Sequence, residues 1–333
     1  MLESFFSERD FTQAGCAELG ESLREMVRMG LAELPLPAGG QTLARWQALA
    51  CVAGQDLRLC KLYEGHTDAL AIMHELAAPG VPQGSTWGMW AAEPPQARLR
   101  VSGTPQAVQL DGLKAWCSGA AVLSHALVTA WDEQERQQLV AVPLAQAGVE
   151  VTENGWCAVG MDATASVEVR FERAMGWAVG EPGDYLNRPG FWHGAVGIAA
   201  CWYGAARALA LHLPEQLGGR EEPHALAHLG AVDAALYSAA RVLQGAARQL
   251  DNRPDDDCEQ LARRCRASVE ACVEEVIAHV GRALGAGPYC KNARFARLAA
   301  DLPVFLRQSH AERDLAVLGK LTIVQDATRN WRL

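Results

Sequence analysis

The hydrophobic period of this chain changes twice, and those two changes leave few folds open. Up to about residue 80, apolar residues recur at helical spacing. Phe11 to Met29 is amphipathic, and Gly30 suits its end. A Pro- and Gly-rich loop, Leu34 to Gly40, precedes two more helical stretches, Leu43 to Gly54 and Asp56 to Leu76. From about residue 84 to 180 the period falls to two. Short runs at Ala97–Val101, Ala107–Leu110, Ala126–Ala130, Leu139–Pro143, Val149–Thr152 and Ser166–Phe171, separated by turn residues, predict a β-domain of six or more strands. Helical spacing then returns in Gly194–His212, Ala225–Leu250 and Cys258–Leu284. Helices, then strands, then helices, without βα alternation, predict an α+β fold. The divisions fall at 1–82, 83–185 and 186–333.

Charge and cysteine usage narrow the function classes. A chain of 333 residues buries a large core in two or three subdomains. Its net charge of −9, with no Lys/Arg-rich run, argues against a nucleic-acid partner. No apolar run reaches the roughly 18 residues that span a bilayer. Met1 to Gln13 is polar and acidic, unlike a secretory signal, so a cytoplasmic location is expected. The 10 cysteines are scattered, with no C-x-x-C pair and no zinc spacing, so no metal site is expected. Cys258, Cys265 and Cys272 recur every seven residues on one helical face and read as small core residues.

The chemistry concentrates in Leu110 to Ala120, L-D-G-L-K-A-W-C-S-G-A. Asp111-Gly112 reads as a tight turn. Alternation beyond it puts Trp116 and Ser118 on one face, with Lys114 beside them. An aromatic ring and a hydroxyl so arranged suit a planar ligand ring and its polar edge. The other reading is a hairpin with a core Trp.

The neighbours of this segment, in order, resemble the acyl-CoA dehydrogenase superfamily of FAD flavoproteins. Gly30-Leu31 through Gly40 is similar to the family's early loop, and Asp56 and His66 fall near its D-x-S…H pattern. Met89-Trp90-Ala91-Ala92-Glu93-Pro94 resembles its flavin-side segment ending in T-E-P. Lys114 to Gly119 resembles its K-x-W-I-T strand, and Gly160-Met161-Asp162 through Val169 to Glu172 its closing strand. Leu284-Gly285-Ala286-Gly287-Pro288-Tyr289 resembles the loop that binds a neighbouring subunit's FAD. The resemblance implies an N-terminal helical domain, a middle β-barrel-like domain and a C-terminal four-helix bundle. It implies FAD as cofactor, held by Met89, Ala91, Ala92, Trp116, Ser118, Arg220, Gly285 and Gly287. One of Trp87 and Trp90 would cover the flavin, the other lying in the core. The small residues of Gly194 to Ala208 suit the close packing of a homodimer or homotetramer, as in the family.

The departures bear on the reaction. Ala92 stands where the family has a hydroxyl, and Gly218-Gly219-Arg220-Glu221 shortens an arginine segment to Arg220 alone. Dehydrogenation of an acyl thioester needs a carboxylate for the α-proton. The family's position for it falls on Ser309, followed by His310, and Gly194–His212 has no acid. Three readings stand. One is an FAD-dependent oxidoreductase acting on an acyl thioester or a related carbon–carbon bond of a small-molecule substrate, with an electron-transfer partner. The second is a flavin monooxygenase of the same fold with Ser309 and His310 at its centre, since imidazole titrates near neutral pH. The third is a non-catalytic relative. His193, beside Phe191 and Trp192, suits a core or interface role, and His66 and His74, eight apart, show no metal partner.

Overall fold

In the computed structural model, which describes residues 1–78, 80–219, 221–324 and 331, the period-two segment closes on itself. Its strands are β1 (Trp87–Trp90), β2 (Leu99–Thr104), β3 (Ala107–Cys117), β4 (His125–Trp131), β5 (Gln137–Pro143), β6 (Val149–Val151) and β7 (Val167–Val179). β4, β2, β3, β7 and β5 run side by side, and β5 returns to pair with β4, making a five-stranded barrel. β1 extends it in parallel beside β4, and β6 pairs with β7. The helices before the barrel are α1 (Leu2–Phe6), α2 (Cys16–Arg28), α3 (Thr42–Gln55) and α4 (Leu57–Glu75). After it come α5 (Asp184–Asn187), α6 (Gly190–Leu217), α7 (Pro223–Asn252), α8 (Glu259–Leu284), α9 (Ala286–Lys291), α10 (Ala293–Leu306) and α11 (Glu312–Val324).

The chain divides into two compact units, Met1–Leu34 with Arg58–Phe191, and Pro35–Leu57 with Trp192–Leu333. In the first, α4 lays Ala69, Ile72 and Met73 on Trp87, Leu127, Leu139, Ala141 and Val179 of the barrel wall. His66 of α4 accepts the Trp87 amide at Nδ1 over 3.2 Å, and Ser85 accepts the Trp87 indole N–H at 2.7 Å. Burial lowers the His66 pKa to about 4. Trp87 and Trp90 are both core residues, so neither covers a ligand ring from outside. The Trp87 ring lies in the layer between α4 and the sheet, and the Trp90 indole bonds the Ser118 carbonyl.

In the second unit, α3 packs on α6 and α7. Gly204 permits the α6 contact, since a Cβ there would sit 2.2 Å from the Ala50 carbonyl oxygen. Asp251 at the end of α7 accepts the Thr42 hydroxyl at 2.6 Å and the Gly40 amide at 3.0 Å. A carboxylate distant in sequence thus caps α3. Helix α6 is long and apolar enough to cross a membrane, which no apolar run in the sequence announces, and 61% of its apolar window is buried in the protein. Cys258, Cys265 and Cys272 are buried, and burial pushes their thiols up to about 11, 12 and 12.

Asp111-Gly112 is not a turn. β3 runs straight through it with a shift in register between Leu110 and Gly112, so the pair is a bulge. Gly112 has φ +124°, and a Cβ would meet the Arg98 carbonyl oxygen at 2.3 Å. Asp111 accepts the Arg173 amide at 2.9 Å and ties the bulge to β7.

Candidate functional site

A second register shift in β3, between Lys114 and Cys117, breaks the alternation there. Trp116 occupies it with φ +56° and leaves its ring half exposed, while Ala115 and Cys117 are buried. Trp116 and Ser118 therefore do not share a strand face. The bulge turns Trp116 outward, and Ser118 follows the end of the strand with its amide donating to the Trp116 carbonyl at 3.0 Å. Left-handed backbone costs an L-residue roughly 1–2 kcal/mol. It recurs without glycine at Met161 (φ +59°) and Ala165 (φ +40°), which border the same place. Such strain persists where surrounding structure holds a functional geometry.

Ser118 is buried and belongs to a chain of hydroxyls. Ser118 Oγ lies 2.7 Å from Ser166 Oγ, Ser166 Oγ lies 2.9 Å from Thr164 Oγ1, and Thr164 donates to the Met161 carbonyl at 2.6 Å. The Gly119 amide donates to the Thr164 carbonyl at 2.8 Å and the Trp90 indole to the Ser118 carbonyl at 3.2 Å. Thr164 and Ser166 were not singled out by sequence. Their only signal is the T-A-S spacing before β7.

Lys114, two residues before Trp116 on β3, belongs to a buried ion pair. Lys114 Nζ donates to Glu93 Oε1 at 3.0 Å and to the Thr129 carbonyl and hydroxyl at 2.7 Å each. Glu93 also accepts the Thr129 hydroxyl and the Trp131 indole. Burial pushes the Lys114 pKa down, and the Glu93 carboxylate works against it. The Glu93-Pro94 motif thus anchors the segment carrying Met89, Ala91 and Ala92, which are half-buried.

The remaining candidates lie in the second unit. Ser309 follows α10, donates to Glu270 Oε2 of α8 at 2.5 Å and accepts the Ala311 amide at 3.0 Å. Glu270 Oε1 takes Arg307 at 3.0 Å. The sequence does not point to Glu270, whose partners are about 40 residues away. The His310 side chain is 67% exposed, with Nδ1 3.8 Å from Asp314 Oδ1. Gly285 and Gly287 do not form one loop: Gly285 closes α8 and Gly287 lies within α9. His193 is buried in α6. Arg220 lies outside the described residues. No group of three or more His, Cys, Asp or Glu among the described residues is arranged to hold a metal.

No family model matches the chain, and no curated protein matches it by sequence. Its fold is similar to several solved structures. Dibenzothiophene monooxygenase TdsC from Paenibacillus sp. A11-2 matches with TM-score 0.77 at 19% identity, over 93% of this chain and 96% of that one. Methanesulfinate monooxygenase MsuC from Pseudomonas fluorescens matches with TM-score 0.79 at 18% identity, over 98% and 96%. KijD3, in complex with FMN and a dTDP-linked amino sugar, matches with TM-score 0.80 at 17% identity, over 97% and 91%. At these identities the likeness establishes the fold.

Proposed function

We propose that this chain is a flavin-dependent oxidoreductase and, within that class, a monooxygenase that takes FMN. The observation that carries this reading is the fold, which follows two monooxygenases over 93% and 98% of the chain. TdsC has also been solved with FMN bound. The first unit has a residue that fits a flavin: the half-exposed Trp116 ring offers a planar apolar surface. FMN is favoured over FAD because Gly285 and Gly287 are taken up in a helix end and a short helix. When bound, a reduced flavin supplies the electrons for oxygen activation. Trp116 would pack on the ring, and the Lys114–Glu93 pair would hold the strand that presents it.

Dehydrogenation of an acyl thioester is the less favoured chemistry. The position where its carboxylate is expected is Ser309, whose hydroxyl is committed to Glu270, and Glu270 in turn takes Arg307. Titrating the purified protein with FMN and FAD tests the flavin, and oxygen uptake with chemically reduced FMN tests the reaction. Binding of FMN with faster oxygen uptake is expected. A protein that alters the spectrum of neither flavin defeats the reading. Anaerobic bleaching of bound flavin by an acyl thioester returns the dehydrogenase to first place.

A further inference from the structure

Helices α7 and α8 are joined by a short turn, and the other end of this hairpin carries two imidazoles face to face. His228 lies in the second turn of α7 and His279 near the end of α8. Their Nδ1 atoms are 2.8 Å apart, with ring centroids at 5.1 Å and planes inclined by 58°. The hairpin turn is about 30 Å away along α8. Buried Ala225 and Val232 on α7, and Val276 and Val280 on α8, hold the backbone that carries both rings. Each neutral imidazole has one N–H and one lone pair, so one Nδ1 donates here and the other accepts. Two ring nitrogens aimed at one point are also a chelate. Metal–nitrogen bonds of about 2.0–2.1 Å at a right angle place two nitrogens about 2.9 Å apart, so the rings need almost no movement. The donor ring would pass its proton to its own Nε2, and both rings would stay neutral. Glu222, the N-cap of α7, turns a carboxylate toward the same end. The Ala225 and His224 amides hold its pKa below the usual range, and the charges of His224 and His228 lower it further.

We propose that His228 and His279 form a two-histidine site for a borderline divalent transition metal such as Zn2+ or Ni2+, and that the metal clips the open end of the α7–α8 hairpin. Imidazole nitrogen suits these ions, whereas Mg2+ and Ca2+ require oxygen ligands. Water completes the coordination. The two residues are 51 apart in sequence, so the unfolded chain does not hold them together. Binding energy at the site therefore adds to the stability of the fold. His224, four residues before His228, has the spacing of a competing site on α7 alone. It is exposed, and it does not complete a three-ligand group with the other two. The clip lies wholly within the second unit and stands whether or not the chain binds a flavin.

The test is calorimetric titration of tag-free, chelator-stripped protein with Ni2+ and, separately, with Zn2+ near neutral pH. Wild type should take up a single equivalent at this site. His228→Gln and His279→Gln should each weaken that binding by about tenfold or more. His224→Gln should change it by no more than about threefold. Urea unfolding supplies the second measurement: added Ni2+ should raise the midpoint of wild type and of His224→Gln, and leave that of His279→Gln where it was. Absence of binding in wild type overturns the proposal. So does binding that survives His279→Gln, and so does binding lost in His224→Gln but kept in His279→Gln, which would place the metal on α7 alone. A midpoint raised equally in wild type and His279→Gln overturns the clip, because the metal would then stabilise the fold from elsewhere.

Discussion

Lys114 and Glu93 form an ion pair across 3.0 Å in which the lysine is almost wholly buried and the carboxylate is 22% exposed. Glu93 carries two further donors, Thr129 and Trp131, so the pair is the centre of a satisfied network. Removing one partner of a buried pair leaves a charge without compensation. Glu93→Gln strands the Lys114 ammonium and should cost about 3 kcal/mol. Lys114→Met should cost less, because the indole and hydroxyl still serve the carboxylate. The double variant should be less destabilised than the sum of the singles. Urea unfolding followed by circular dichroism measures all three, and additive losses would show that the two side chains are uncoupled.

His66 makes stability depend on pH. Its folded pKa of about 4 lies below the 6.5 of the free side chain, because burial penalises the charged form. The unfolded chain therefore binds the proton first as pH falls. Stability from this residue is complete above pH 6.5 and is lost progressively down to about 4. The loss is about 3 kcal/mol across that window. His66→Asn, which keeps an acceptor for the Trp87 amide, should have a flatter stability profile between pH 6.5 and 4. Parallel profiles for the two proteins would rule out His66 as the source.

Ala165 holds a left-handed backbone at φ +40°. Glycine adopts that conformation without the Cβ penalty, so Ala165→Gly should stabilise the protein by about 0.5–1 kcal/mol. The gain should appear as a higher urea midpoint with an unchanged slope. A loss of stability would mean that the methyl group packs more than the strain costs.

Ser309 and His310 are adjacent and should respond oppositely. Ser309→Ala removes a donor to Glu270 and an acceptor for the Ala311 amide, and should cost about 1–2 kcal/mol. His310→Ala removes a largely exposed side chain and should leave stability within about 0.5 kcal/mol. A lower turnover in an oxygen-uptake assay is the outcome expected if His310 has the role read from the sequence. Unchanged turnover would remove His310 from the chemistry.

The sequence made the α+β order legible because amphipathic periods survive averaging over many residues. The β-branched runs around Ala126–Ala130 and Leu139–Pro143 became β4 and β5 nearly as expected. β1 escaped notice because its Trp-rich four residues carry no alternation. Asp111-Gly112 and Trp116 were misread for one reason: Gly and period-two spacing do not distinguish a turn from a bulge, since both need positive φ and only long-range pairing separates them. The partners of Ser118 and Ser309 were invisible because Ser166 and Glu270 lie 48 and 39 residues from them and carry no local signature.

Gly204 meets the backbone of Ala50 with no room for a methyl group, and α3 belongs with helices that follow it by more than a hundred residues. During synthesis α3 leaves the ribosome well before its partner exists. At roughly 5–20 residues per second the interval is on the order of 10–30 seconds. Throughout it the apolar side of α3, with Trp46, Leu49 and Val52, has no permanent seat. The barrel between them is made first and becomes the waiting room. A circular permutant beginning near Arg58, and so carrying Pro35–Leu57 after residue 333, should reach its native state with less delay.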